Sequence, residues 1–124
     1  LAEGLTRSTG RLEAGDLVWV EFDDPPFGHE QAGRRPALIL SDGDYNSISS
    51  FVLLCPVTRR SRNWPFQVPV SADRISGEAI VDQIKSIDRR RIVSPAFDKV
   101  DDATLAEARR VLGAILTLEP PSGA

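Results

Sequence analysis

Apolar and polar positions along the chain sort into several short strand-like runs and one helical run near the end. GDLVWVEF, Gly15–Phe22, follows a Gly-Asp turn signal with β-branched and aromatic residues and predicts a first strand. DDPPFGHEQAGRRP, Asp23–Pro36, holds Pro, Gly and Asp without a period and predicts a loop. Loops of about a dozen residues in compact domains usually serve a function or are disordered. ALILS, Ala37–Ser41, predicts a short buried strand, and DGDYNS after it a turn. FVLLCPVT, Phe51–Thr58, predicts another apolar strand, with Pro56 marking a bulge or an unpaired side.

RRSRN then reads as a cationic turn. In WPFQVPV, Trp64–Val70, the apolar residues Trp64, Phe66, Val68 and Val70 share one face, while Pro65 and Pro69 share the other parity. Their missing N–H groups then lie on one side, which suits an edge strand and would damage a central one. GEAIVDQIKSID, Gly77–Asp88, predicts one or two strands interrupted by polar residues. DDATLAEARRVLGAILTL carries Leu105, Ala108, Leu112 and Ile115 at 3,4,3 spacing and predicts the helix, capped by Asp101 or Asp102. Pro120 and Pro121 stop it. Strands followed by one C-terminal helix predict an α+β, mainly β fold: an SH3-like, partly open antiparallel barrel with the helix packed on it.

At 124 residues the chain has the size of one domain. The expected domain spans 15–118, with a mobile tail at 1–14 and a second at 119–124. No run approaches the ~20 apolar residues of a membrane span. The first residues contain no apolar h-region, so no signal peptide is expected. The lone Cys55 excludes an internal disulfide and fits a reducing cytoplasm. With one His and one Cys, no protein-built zinc site is expected, and no cofactor.

The formal charge of −3 argues against a general nucleic-acid coat, but its distribution changes that picture. Thirteen of the fifteen basic residues are Arg, and most fall in three clusters: Arg34-Arg35, Arg59-Arg60-Arg62 and Arg89-Arg90-Arg91. Arg gives planar, bidentate phosphate recognition and stacks on bases, which Lys does not. Focused Arg patches on an acidic protein fit a defined anionic ligand; ordinary surface Arg balanced by acids is the plainer alternative.

P-loop, GxGxxG, GxSxG, HExxH and CxxC signatures are absent. The candidates that remain sit at predicted strand ends. Arg34 and Arg35 close the long loop, and Pro36 biases Arg35 toward extended backbone, aiming its side chain. A guanidinium there can stabilise charge developing on a phosphate; a structural ion pair with a carboxylate such as Glu30 is the alternative. Thr58 ends its strand beside Arg59 and Arg60, where a hydroxyl can donate to a phosphate oxygen, although Thr also favours strands for no further reason. His29 and Glu30, adjacent in the loop, are candidate general bases. Asp82, Gln83 and Lys85 interrupt an apolar run and can orient arginines or read a base. Trp19, Phe27 and Trp64 can stack on bases, with core or interface packing the alternative for the two Trp. Cys55 reads as packing.

GDLVWVEF, GHEQAGRRPALILS, PVT with PF after a loop, and DQIKSID come in an order and spacing that resembles the MazF/PemK family of toxin endoribonucleases, over about Gly15 to Leu116. The resemblance implies a small SH3-like barrel with a C-terminal helix, forming homodimers through the helix or the edge strand. It implies metal-independent cleavage of single-stranded RNA, chiefly mRNA, by attack of the ribose 2′-hydroxyl, leaving a 2′,3′-cyclic phosphate and a 5′-hydroxyl. It places the catalytic residues at Arg35, Thr58 and Glu30, and RNA contacts at Phe22, His29, Gln31, Arg34, Arg59, Arg60, Asp82, Gln83, Lys85 and Ser86. It implies a cognate antitoxin whose acidic, partly disordered tail folds into the Arg-lined groove. His29 in place of a frequent Ser, a slightly longer DDPPFG loop and Gln67 in place of a frequent Glu depart from the family pattern. Two rivals remain: a gyrase-poisoning toxin of related fold, and a non-catalytic RNA-binding barrel.

Overall fold

The apolar runs pair as antiparallel strands in a computed structural model that describes residues 10–22 and 33–118. In chain order the elements are β1 (Asp16–Phe22), β2 (Gly33–Ile39), α1 (Gly43–Ile48), β3 (Phe51–Thr58), β4 (Gln67–Ser71), β5 (Ser76–Ile80), β6 (Lys85–Asp88), β7 (Asp98–Lys99) and α2 (Asp102–Ile115). Short 3-10 turns lie at Val81–Gln83 and Arg89–Arg91. The strand order is β4-β5-β3-β2-β1-β7, with β6 also on β3. The expected curled, partly open antiparallel barrel with a C-terminal helix is what forms.

β3 organises the curl, because β6 and β5 pair with successive stretches of it. β6 takes Phe51–Leu54 and β5 takes Val57 and Thr58, while β2 pairs along Leu54–Pro56. Pro56 sits in the gap between the β6 and β5 ladders, where a missing N–H does least damage. Alternate side chains of β1–β3 enter two cores, which explains why these strands read as nearly continuous apolar runs. Leu17, Leu38, Cys55 and Val57 pack under Ala108 and Val111 of α2. Val18, Val20, Ala37, Ile39, Val52 and Leu54 form the second cluster with Phe22, Ile87, Ile92 and Leu12. Leu12 is 1% exposed, so packing extends upstream of Gly15, into the stretch expected to be a tail.

Four local expectations are corrected. Arg34, Arg35 and Pro36 belong to β2, not to the loop: they pair with Glu21, Val20 and Trp19, and Gly33, at φ 75°, turns the chain into the strand. DGDYNS is not a bare turn. Asp42 caps α1 through Asp44 N–H at 2.9 Å, and the buried Asn46 donates to the carbonyls of Leu12 and Ser41, both at 2.9 Å. β4 begins at Gln67, not Trp64, because Gln67 N–H bonds back to Trp64 O at 3.0 Å and closes a turn there. Helix α2 buries Ala108 and Val111 and packs the partly buried Leu105 and Leu112 against the same core, with Ile115 left exposed. The edge position expected from Pro65 and Pro69 holds for β4, which ends the strand order. Asp101 is the α2 cap, accepting from Thr104 N–H at 2.8 Å.

Candidate functional site

A cleft of about 930 Å³ opens where β2 and β3 diverge. Their pairing runs Ile39–Leu54, Leu38–Cys55, Ala37–Pro56 and then stops. Continued outward, the same register would set Arg35 opposite Thr58. Instead β3 turns to β5, and both residues line the opening. Arg59, Arg60, Arg62 and Arg74 line it as well, so among the described residues five arginines face the cleft against one carboxylate, Asp82. An acidic chain thus keeps a strongly cationic cleft, walled by Trp19, Trp64, Phe97, Pro36 and Ile75.

Thr58 is nearly buried, and its Oγ1 accepts the backbone N–H of Arg60 at 3.2 Å. With that lone pair occupied, the hydroxyl proton is available to an acceptor in the cleft. Gln67, also nearly buried, donates from Nε2 to Glu78 at 2.7 Å and toward the carbonyl of Arg60 at 3.4 Å. The Arg60 backbone is therefore held at both ends, by Thr58 and by Gln67. Gly77 lies against this clamp: a Cβ there would sit 2.3 Å from the carbonyl oxygen of Thr58.

The loop Arg59–Trp64 is fastened at its far end too. Trp64 Nε1–H donates to Asp82 at 3.0 Å, and its ring meets Phe66 edge-on at 5.2 Å. Asn63 adopts a left-handed φ of 54°, which Asn tolerates better than most residues. Neither tryptophan is core: both remain part-exposed on the cleft wall.

Of the residues singled out from the sequence, the fold brings Arg35, Thr58, Arg59, Arg60, Asp82 and Gln83 to the cleft. Arg34 instead pairs with Glu21 at 2.7 Å. Phe22 is corrected: it is 3% exposed and belongs to the second core, with the Lys85 ammonium 5.8 Å above its ring. Lys85 and Ser86 lie in β6 and are not among the residues that line the cleft. The Arg89–Arg91 cluster serves a turn: Arg90 is bonded to Asp88, and Arg89 to the carbonyl of Asn46. His29, Glu30, Gln31 and Phe27 lie outside the described residues. Arg74, Gln67, Ile75 and Phe97 were not singled out as site residues. Arg74 carried one weak signal, a charge in the SADR turn; Phe97 carried none. Cys55 is fully buried, and burial pushes its thiol up to about 12. Among the described residues no three His, Cys, Asp or Glu side chains cluster, and no helix is long and apolar enough to cross a membrane.

Residues 13–116 match the family of PemK-like, MazF-like toxins of type II toxin–antitoxin systems. Endoribonuclease toxin MazF of Escherichia coli K12 is 47% identical over 75 residues, 60% of this chain and 67% of that protein. Endoribonuclease toxin ChpB of the same strain is 33% identical over 111 residues, 85% of this chain and 94% of the relative. The crystal structure of MazF from Deinococcus radiodurans superposes with a TM-score of 0.77 at 40% identity, covering 86% of this chain and 97% of that one. A MazE–MazF structure from the same organism gives 0.75 at 39% identity over 88% and 98%.

Proposed function

Since the chain belongs to the PemK-like, MazF-like toxins of type II toxin–antitoxin systems, we propose that its cationic cleft cleaves single-stranded RNA. The carrying observation is the placement of Arg35 and Thr58 on either side of the β2–β3 divergence, within a cleft lined by five arginines. Relatives are named endoribonuclease toxins, and RNA supplies what such a cleft selects: a phosphate at each step for the guanidinium groups, and bases for the aromatic wall.

The ribose 2′-oxygen attacks the adjacent phosphorus while the bond to the 5′-oxygen breaks. Arginine side chains are cationic donors in proteins, so Arg35 acts on the negative phosphorane rather than as a base. Thr58 donates its hydroxyl proton to a non-bridging oxygen. Glu30, or His29 in its place, accepts the 2′-hydroxyl proton; the 5′-oxygen takes a proton from Arg35 and leaves as its hydroxyl, and the proton held by Glu30 replaces the one Arg35 gave. The products are a 2′,3′-cyclic phosphate and a 5′-hydroxyl, and no step calls for a metal.

A cognate antitoxin is the protein partner; a MazE–MazF assembly is known for a similar toxin. An acidic antitoxin tail suits the same five arginines and would compete with RNA. A homodimer and a cytoplasmic setting complete the reading, and the exposed apolar residues Ile48, Phe51, Leu116 and Leu118 give surface for self-association. The test is a long RNA free of stable structure, incubated with the protein in EDTA. Mapped 5′-hydroxyl and cyclic phosphate ends are expected; intact RNA, or salt-sensitive binding without cleavage, would overturn the reading.

A further inference from the structure

Trp19 and Phe97 form a prebuilt wall beside Arg35. Their ring centroids are 5.8 Å apart at an interplanar angle of 30°. Neither ring is left to find its place. Trp19 sits in β1 opposite Pro36, one rung from the Val20–Arg35 pair. Its backbone N–H donates to Ser94 Oγ at 3.0 Å and its carbonyl accepts from Val93 N–H at 2.9 Å. Phe97 N–H is bonded to Leu17 O at 2.9 Å, so the segment carrying Phe97 is tied to β1 on both sides of the ring pair. Trp19 is nonetheless 37% exposed. Above the pair, the β4–β5 turn is fastened by Arg74 N–H to Asp98 at 2.6 Å, and Arg74 joins the cleft lining.

A rigid, part-exposed aromatic pair with a cation beside it is the chemistry that stacks unpaired nucleobases. Resting on the ribonuclease reading above, we infer that Trp19 and Phe97 form a subsite for one base flanking the scissile phosphate, with Arg74 on the backbone of that nucleotide. Because Trp19, Phe97 and Arg35 line one cleft, the base held here flanks the phosphate held by Arg35. The subsite selects through stacking, so it favours purines over pyrimidines without reading hydrogen-bonding edges. It thereby fixes where cleavage falls along the strand.

The test uses the full chain and RNA oligonucleotides carrying one abasic ribose at each position in turn. In the natural protein, one abasic position flanking the cut should raise KM about ten- to a hundredfold with kcat little changed, the range expected for losing one stacked base. Trp19→Leu should raise KM similarly on intact RNA and be indifferent to the abasic ribose at that one position. Penalties that multiply at every position would overturn the subsite. Should Trp19→Leu fold poorly, Trp64→Phe leaves Trp19 as the lone tryptophan of the two in the chain. Its fluorescence should then be quenched by an uncleavable 2′-O-methyl oligonucleotide, and not by the same strand abasic at that position; equal quenching by both overturns the subsite. Cleavage that is unaffected by Trp19→Leu removes the stacking wall and leaves the reaction standing. Base-dependent quenching without any cleavage removes the reaction and leaves the wall.

Discussion

Arg35 and Thr58 stand on β2 and β3, whose pairing ends at Ala37 and Pro56, two residues short of the rung they would share. The opening between them is thus made by a strand changing partners. If that opening is the reaction centre, Arg35→Ala should lower kcat on a single-stranded RNA oligonucleotide by ~10²–10³-fold, the usual loss for one preorganised donor to a developing charge. Arg35→Lys should recover only part, because an ammonium cannot form the planar two-point contact. Single-turnover rates in EDTA check this, and equal rates for all three proteins would remove Arg35 from the chemistry.

Gln67 is the positioning residue for Thr58, through the Arg60 backbone they share. Gln67→Glu places a carboxylate against Glu78 and removes the donor to Arg60 O. A lost buried hydrogen bond of ~1–3 kcal/mol predicts a kcat lower by roughly tenfold, with KM within about twofold. Adding Glu78→Gln restores a donor–acceptor pair between the two positions but not the bond to Arg60. The double variant should therefore regain thermal stability while its kcat stays low. Recovery of both together would make Gln67 a stabilising residue only.

Gly77→Ala tests the same clamp from behind. Its Cβ would meet Thr58 O at 2.3 Å, and the neighbour is backbone, so β3 and β5 must shift. Overpacking of this kind costs about 1–3 kcal/mol. A lowered melting temperature together with a loss of RNA cleavage is expected; unchanged melting would contradict the close approach.

Asp88 gives a pH signature. The Arg90 side chain, then its backbone N–H, hold the Asp88 carboxyl down at about 2 from an ordinary 3.8. A depressed acid stabilises the fold above its unfolded pKa, and the contribution disappears as pH falls through the folded value. The natural protein should therefore lose a small, salt-screened advantage over Asp88→Asn between about pH 4 and pH 2. Melting curves of both proteins across that window check this; a gap that widens on acidification would be inconsistent with it.

Cys55, buried between the sheet and α2 with its thiol pushed up to about 12, should resist a thiol reagent in the native protein and react fully once unfolded. Rapid labelling at neutral pH under native conditions would show that this core opens.

The sequence by itself determined the main strands, the C-terminal helix and the edge position of β4, because periodicity and proline placement are local constraints, but not α1 or the two-residue β7. It also determined Arg35 and Thr58 as candidates, since both terminate apolar runs in motifs that resemble a known family. It could not separate the arginine clusters. Arg59 and Arg60 enter the cleft and Arg34 finds Glu21 because of which strands become neighbours, whereas Arg90 turns locally onto Asp88, two residues back. Phe22, read as an RNA contact, goes to the second core because β1 is covered on both faces. The Thr58–Arg60–Gln67 clamp and the Trp19–Phe97 pair join residues 9 and 78 positions apart in the chain. Only the tertiary structure decided those, because a curled sheet brings strand ends together by register, and register is set by cores formed between distant segments.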